Sequence, residues 1–133
     1  MDGNPAVLVV SSNLEYRRAL VRVLDDLPVD KFVAATVAEA EDVLSRQRVA
    51  LVFCDDRLTD GTYRDLLSGP RTCGNAPYLV VTTRTGEWKE YLEAAGLGAF
   101  DMIQYPYRPA EIELNVLRTM PGNKGQQSYR AVA

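Results

Sequence analysis

Residues 51–61, Leu51-Val52-Phe53-Cys54-Asp55-Asp56-Arg57-Leu58-Thr59-Asp60-Gly61, run four apolar side chains directly into a carboxylate. A polar loop closing on Gly61 follows. A buried parallel strand ends in this way when its last side chain does chemistry at the C-terminal edge of the sheet, where open α/β folds place their sites. Asp55 is therefore the first candidate functional residue. The competing reading is a carboxylate that caps the loop or the turn after it. Strand alternation should turn Asp56 away from the same pocket, which makes it solvated or structural.

Missing residue types bound the rest of the chemistry. The chain has no histidine, which excludes Ser-His and Cys-His catalysis and any histidine phosphocarrier role. Its two cysteines, Cys54 and Cys73, do not form a CxxC pair. Cys54 lies in a strand pattern and reads as a small core residue, while Cys73 reads as a loop residue. Two cysteines without a histidine do not make a zinc site. No catalytic residue is assigned, and the chain is not read as an enzyme.

The elements that must position Asp55 alternate short apolar runs with helical segments, five times over. Strands are expected at 6–11, 31–35, 49–54, 77–82 and 100–104. The first, third and fourth are nearly continuous Val, Leu, Phe and Ala, as in central strands covered on both faces. Leu14, Leu20, Val21, Leu24 and Leu27 form a helical stripe after Ser12-Asn13-Leu14-Glu15, which reads as a capping box. Thr36-Val37-Ala38-Glu39 is a second capping box, opening a helix through Val43 and Leu44. Weaker helical patterns cover 61–68, 87–96 and 109–119, with Pro109 suited to a first turn. The order implies an α/β fold, a (βα)5 doubly wound, five-stranded parallel sheet with right-handed crossovers and helices on both faces.

A chain of 133 residues with 47% hydrophobic and 25% charged content fits one globular domain with an ordinary core. That domain is expected over 5–119, with 120–133 a linker or disordered tail. No apolar run approaches the roughly 20 residues that span a bilayer. The N-terminus lacks the regions of a signal peptide, so a cytoplasmic location without membrane contact is expected. A net charge of -3 argues against nucleic-acid binding by this domain.

Over roughly residues 5–119 the chain resembles the receiver domain of two-component response regulators, a flavodoxin-like (CheY-like) fold. Asp55-x-x-Leu58-Thr59-Asp60-Gly61 is similar to the family's phosphoacceptor loop, with Thr59 where proline is usual. Gly98-Ala99-Phe100-Asp101-Met102-Ile103-Gln104-Tyr105-Pro106-Tyr107 resembles its "GAxDxIxKPF" segment. Ala76-Pro77-Tyr78-Leu79-Val80-Val81-Thr82-Thr83 resembles its fourth strand, which ends in a hydroxyl. Order and spacing together make the resemblance specific. It implies strand order 2-1-3-4-5 and an aspartate that takes a phosphoryl group from a kinase histidine. In the family an Mg²⁺ assists, held by an acidic pair after strand one, by the phosphoacceptor and by a main-chain carbonyl two residues on. A lysine before the proline after strand five pairs with the phosphoryl oxygens. A Thr/Ser hydroxyl then follows the phosphate and lets a strand-five aromatic swing inward.

Carried over residue by residue, the resemblance makes Asp55 the phosphoacceptor and a metal ligand, and Arg57 the residue that supplies the carbonyl. The acidic pair does not carry over. Ser11 and Ser12 stand in its place, followed by Asn13, and hydroxyls are poor Mg²⁺ ligands beside carboxylates. Ser12 and Asn13 read better as caps. Asp60 is the carboxylate that could partly substitute. Tyr105 replaces the lysine, offering one hydrogen bond and no charge, either filling the pocket toward Asp55 or packing on the surface. Counting from Asp55 and to Tyr105 assigns the hydroxyl to Thr83, although an apolar run ending at Val81 allows Thr82. Met102 replaces the aromatic and has no hydroxyl with which to report the threonine's state. Arg84 is the cation expected near the pocket mouth.

The expected function is that of an atypical receiver (a pseudo-receiver) with impaired Mg²⁺-dependent phosphorylation, acting through protein contacts. No cofactor is required, and Mg²⁺ is expected to bind weakly. The alternative is a working phosphoacceptor that receives a phosphoryl group at Asp55 from a histidine kinase. A third, remote alternative is a small-molecule or flavin-binding protein of the same architecture. It is disfavoured because Ser11-Ser12-Asn13-Leu14-Glu15 has no glycine and soon brings a carboxylate. Expected partners are a histidine kinase or another signalling protein. A homodimer through the 87–119 face is a second expectation, since Trp88, Tyr91, Leu97, Tyr105, Tyr107, Ile112 and Val116 fall there. For Ile112 and Val116 the competing reading is ordinary helix core.

Overall fold

The computed structural model describes residues 3–68 and 76–120; Cys73 and residues 121–133 lie outside them. Five strands form one parallel sheet: β1 (Ala6–Val10), β2 (Asp30–Ala34), β3 (Val49–Asp55), β6 (Tyr78–Thr83) and β7 (Asp101–Gln104). The order across the sheet is β2-β1-β3-β6-β7, which is 2-1-3-4-5 when only these five are counted. This is the expected doubly wound receiver topology, and the direction of winding reverses between β1 and β3. A short antiparallel pair, β4 (Arg57–Leu58) with β5 (Gly61–Thr62), fills the loop after β3.

Alternation along the central strands sorts the core into two layers. Leu8, Val10, Val52, Cys54, Val81 and Met102 face α2 (Val37–Arg46), α3 (Tyr63–Ser68) and α4 (Trp88–Gly96), packing on Ala40, Leu66 and Ala94. Val7, Val9, Leu51, Phe53, Val80 and Ile103 face α1 (Leu14–Leu24) and α5 (Pro109–Thr119), packing on Leu20, Leu24, Ile112 and Val116. A sheet covered on both sides needs near-continuous apolar strands, and β1, β3 and β6 supply them. The register slips between Ala6 and Val7, where β1 pairs with Val49 and then with Leu51. That irregularity puts Val49 and Leu51 in opposite layers although they lie two residues apart.

The helix starts show how local chemistry differs from the sequence pattern. At α2 the Thr36 cap forms, accepting from the Glu39 amide at 3.1 Å, while the Glu39 carboxylate reaches back one residue beyond the cap and accepts from the Ala35 amide at 2.8 Å. At α1 the N-cap is Asn13, which accepts from the Tyr16 amide at 3.0 Å. The Ser12 to Glu15 box does not form. Ser12 instead donates to the Ala35 carbonyl at 2.6 Å and accepts from the Thr59 amide at 3.2 Å, tying the ends of three segments together.

Phe53 is fully buried at the centre of the α1/α5 layer. Phe53→Ala is expected to cost about 3–5 kcal/mol through lost transfer energy and a residual cavity. A urea unfolding midpoint compared with the parent measures it.

Candidate functional site

The site grows out of strand register at the C-terminal edge. Val10 pairs with Cys54, so the next residues, Ser11 and Asp55, emerge side by side; on the other flank Asp55 pairs with Thr82. Ser11 Oγ donates to Asp55 Oδ2 at 2.6 Å and Thr82 Oγ1 donates to Asp55 Oδ1 at 2.6 Å. All three side chains are buried, Asp55 at 8% exposure. Short O–H···O⁻ bonds of this length are the charge-assisted kind. Ser11 Oγ also accepts from the Asn13 amide at 3.2 Å and lies 3.1 Å from the Asn13 carbonyl, a longer contact than the one to the carboxylate.

Burial is the largest influence on Asp55 and raises its pKa above the ordinary aspartate value. The Ser11 and Thr82 hydroxyls pull it down, Asp56 pushes it up and Arg17 pulls it down. Arg17 is a residue that sequence reasoning missed. Its Nη1 donates to the Ser11 carbonyl at 2.7 Å, one helical turn beyond the Asn13 cap. That spacing from the cap was the available signal. Arg84 lies with its guanidinium 5.8 Å from the centre of the Tyr16 ring, at the mouth of the same cleft.

Several expected residues stand elsewhere than counting suggests. Thr82, not Thr83, bonds Asp55, because parallel register sets residues 55 and 82 opposite each other. Thr83 turns to the other side, donating to Asp56 Oδ2 at 3.4 Å and accepting from the Thr85 amide at 3.2 Å. Asp56 accordingly lines the cleft instead of pointing clear of it. Asp60 is no substitute ligand. Its carboxylate accepts from the Val37 and Ala38 amides at 2.7 and 3.1 Å, capping α2, and these bonds lower its pKa. Tyr105 does not enter the pocket. Its hydroxyl donates to Glu15 Oε2 at 2.7 Å and its ring packs on Tyr16 at 4.4 Å between centroids.

The aromatic that does reach the site is Tyr107. It is half-buried, lines the Asp55 cleft and stands beside the Thr82 hydroxyl; burial raises its pKa above the ordinary tyrosine value. Tyr105 meets it edge-on at 5.3 Å, across Pro106, whose peptide bond to Tyr105 is cis. Met102 is part of the apolar layer under α4. Arg57 is exposed at the rim. The whole cleft has a volume of about 510 Å³.

As a place for Mg²⁺ the residues fit poorly. Asp55 has a short hydroxyl bond on each oxygen, Ser11 and Ser12 bring no charge, and Asp60 is committed to α2. Among the described residues no group of three or more His, Cys, Asp or Glu could hold a metal ion. This hard cation favours charged oxygens and dehydrates reluctantly.

A second concavity, of about 730 Å³, opens between α4, β7 and α5, with Trp88, Tyr91, Gln104, Tyr105, Pro106 and Arg108 on its walls. Trp88 is 66% exposed and stacks on Tyr91 at 5.3 Å. Leu97 is exposed as well, whereas Ile112 and Val116 are core residues.

No family model matches the chain. The photosynthetic apparatus regulatory protein RegA of Rhodovulum sulfidophilum is 28% identical over 103 residues, covering 77% of this chain and 56% of that protein. The chain thus spans about half the length of this curated relative. Solved structures of the same fold are response regulator receiver domains. One, a receiver protein from Pseudomonas putida, has a TM-score of 0.75 at 24% identity, over 89% of this chain and 99% of that one. The receiver domain of Francisella response regulator 1452 has a TM-score of 0.74 at 16% identity, over 98% and 100%. The CheY-like receiver domain protein of Methanospirillum hungatei has a TM-score of 0.73 at 16% identity, over 87% and 93%. Among the described residues no helix is long and apolar enough to cross a membrane.

The raised pKa of Asp55 has a consequence for stability. Between the ordinary aspartate value and its higher folded value, the folded chain binds more protons than the unfolded chain, so stability falls as pH rises through that window. Asp55→Asn removes this contribution; each tenfold difference in proton affinity between folded and unfolded chains corresponds to about 1.4 kcal/mol. The variant is expected to be more stable than the parent at neutral pH, with the difference shrinking as pH drops below the aspartate range. Urea midpoints across pH provide the measurement.

Proposed function

We propose that this domain serves two-component signalling as a receiver-fold contact module, with Asp55 as the acceptor position and Mg²⁺-dependent phosphorylation impaired. One observation carries this reading: both Asp55 oxygens are engaged at 2.6 Å by hydroxyls from the flanking strands, and one of those hydroxyls, Ser11, stands where the family places a metal-binding acid. A phosphoryl donor approaching such a carboxylate meets Ser11 and Ser12 where the family places its acidic pair, and no lysine to balance its charge. Arg57 would supply only a main-chain carbonyl. Under this reading Thr82 takes the hydroxyl role assigned by counting to Thr83, and neither Tyr105 nor Met102 acts as a phosphate partner. The domain performs no reaction of its own beyond any residual phosphoryl acceptance, and a histidine kinase or another signalling protein is its partner.

Output through contacts is supported by the α4–β7–α5 concavity. Trp88, Tyr91 and Tyr105 give it the aromatic enrichment of interface cores, and a homodimer across the 87–119 face would cover it.

Incubation with acetyl phosphate and Mg²⁺, followed by intact mass measurement, tests the reading. The expected result is little or no added phosphoryl mass over a time that labels a receiver with a complete acidic pair. Rapid, Mg²⁺-dependent addition that vanishes in Asp55→Asn would instead establish a working phosphoacceptor.

A further inference from the structure

Both oxygens of Asp55 are held by hydroxyls, so the groups of its cleft that are left to meet a ligand are others. The Ser12, Thr82 and Thr85 hydroxyls are likewise spent within the fold, Thr85 on Glu90 at 2.7 Å. Three charged side chains on the lining are not neutralised. Among the described residues neither Arg57 nor Arg84 forms a salt bridge. The Asp56 carboxylate meets only the Thr83 hydroxyl, at 3.4 Å, beyond the usual length of an O–H···O bond. Arg84 is nonetheless held in place: its guanidinium lies 5.8 Å from the centre of the Tyr16 ring, and its carbonyl accepts from Gln104 Nε2 at 3.1 Å.

The balance of charge narrows the ligand. Asp55, Asp56 and Glu90 set three carboxylates on the lining against the two guanidiniums. A dianion such as inorganic phosphate is repelled by the acids, and a simple amine is repelled by the arginines. A small molecule with one charge of each sign satisfies both. An α-amino acid has that pattern. Its planar carboxylate matches the two parallel N–H bonds of a guanidinium, and its ammonium brings three donors for a carboxylate. Tyr16 and Tyr107 offer ring surface for its side chain. The cleft volume of about 510 Å³ falls in the range of small-molecule sites, roughly 300–1,000 Å³.

We propose that this cleft binds a free α-amino acid, with Arg84 on its carboxylate and Asp56 on its ammonium. Arg57, exposed at the rim, adds to the positive side of the site. The inference goes beyond the contact-module reading and uses Asp56 and the arginines, not the acceptor oxygens of Asp55. The acetyl phosphate result and the binding result therefore fail separately.

The test titrates the ¹⁵N-labelled full chain with the natural amino acids, one at a time, following the Asp56, Thr83, Arg84 and Thr85 amide resonances. At least one amino acid is expected to move them saturably. Its N-acetyl derivative, which lacks the ammonium, and its carboxamide, which lacks the carboxylate, are each expected to bind about tenfold more weakly or worse. Asp56→Asn and Arg84→Gln are expected to show a similar loss, whereas Arg18→Gln, which removes a positive charge outside the cleft, is expected to show none. Amide resonances remote from the cleft check that each variant is folded, and the two derivatives decide the matter in the parent chain alone. Absence of saturable movement with every amino acid overturns the proposal. So does equal binding of either derivative, an equal loss in Arg18→Gln, or displacement of the amino acid by an equal concentration of inorganic phosphate.

Discussion

A carboxylate at 8% exposure on the edge of a parallel sheet has to be satisfied by its neighbours, and this structure is arranged around that requirement. Strand order β2-β1-β3-β6-β7 puts β1 and β6 on either side of β3, so the side chains adjacent to Asp55 in the sheet come from their ends. Both are hydroxyls, Ser11 and Thr82, and each donates to a different oxygen. The same register sets Val9, Phe53 and Val80 in one layer. A slip of one residue would turn Phe53 out of its layer and strip the carboxylate of its donors together. The core and the site therefore enforce one alignment.

Much of this was legible in the sequence because buried parallel strands leave a strong signal. The apolar runs in β1, β3 and β6 located the central strands to within about a residue, and the run into Asp55 located the buried carboxylate. Thr36 and Glu39 marked the start of α2 correctly. What was not legible depended on where side chains point once the strands end. Thr82 and Thr83 differ by one residue, and only the pairing of Asp55 with residue 82 decides between them. Ser12-Asn13-Leu14-Glu15 carried the letters of a capping box, but Asn13 caps the helix, while Ser12 is drawn to the Ala35 carbonyl and Glu15 to Tyr105. Each of those partners is distant in the chain, and no local pattern announces them.

Tyr105 and Tyr107 illustrate the same limit. Both follow β7 within three residues, and the resemblance directed attention to Tyr105 because it stands in the lysine position. In the folded chain Glu15 and Tyr16 of α1 hold Tyr105 outward, and Tyr107 has the inward place. A tyrosine with a carboxylate partner at the surface gains nothing by burying its hydroxyl, whereas Tyr107 has the Thr82 hydroxyl as a polar neighbour in the cleft.

The substitutions around Asp55 also agree with one another electrostatically. A pocket with three acids needs a divalent cation and a lysine to be tolerable at close quarters. With Ser11 and Ser12 near Asp55 in place of further acids, most of that repulsion is absent, and with it the need for compensating positive charge at position 105. The Asp55 carboxylate has its pKa raised chiefly by burial, lowered by two hydroxyl donors, raised by Asp56 and lowered by Arg17. Restoring one acid alone, at residue 11, would set two carboxylates side by side with neither cation present. Residue 105 is bound up in the same balance: a lysine there would lose the Tyr16 packing and bring a charge to a pocket that no longer holds three acids. Ser11 on β1 and Tyr105 after β7 are therefore linked through the charge balance around Asp55, whose carboxylate is bonded by two hydroxyls.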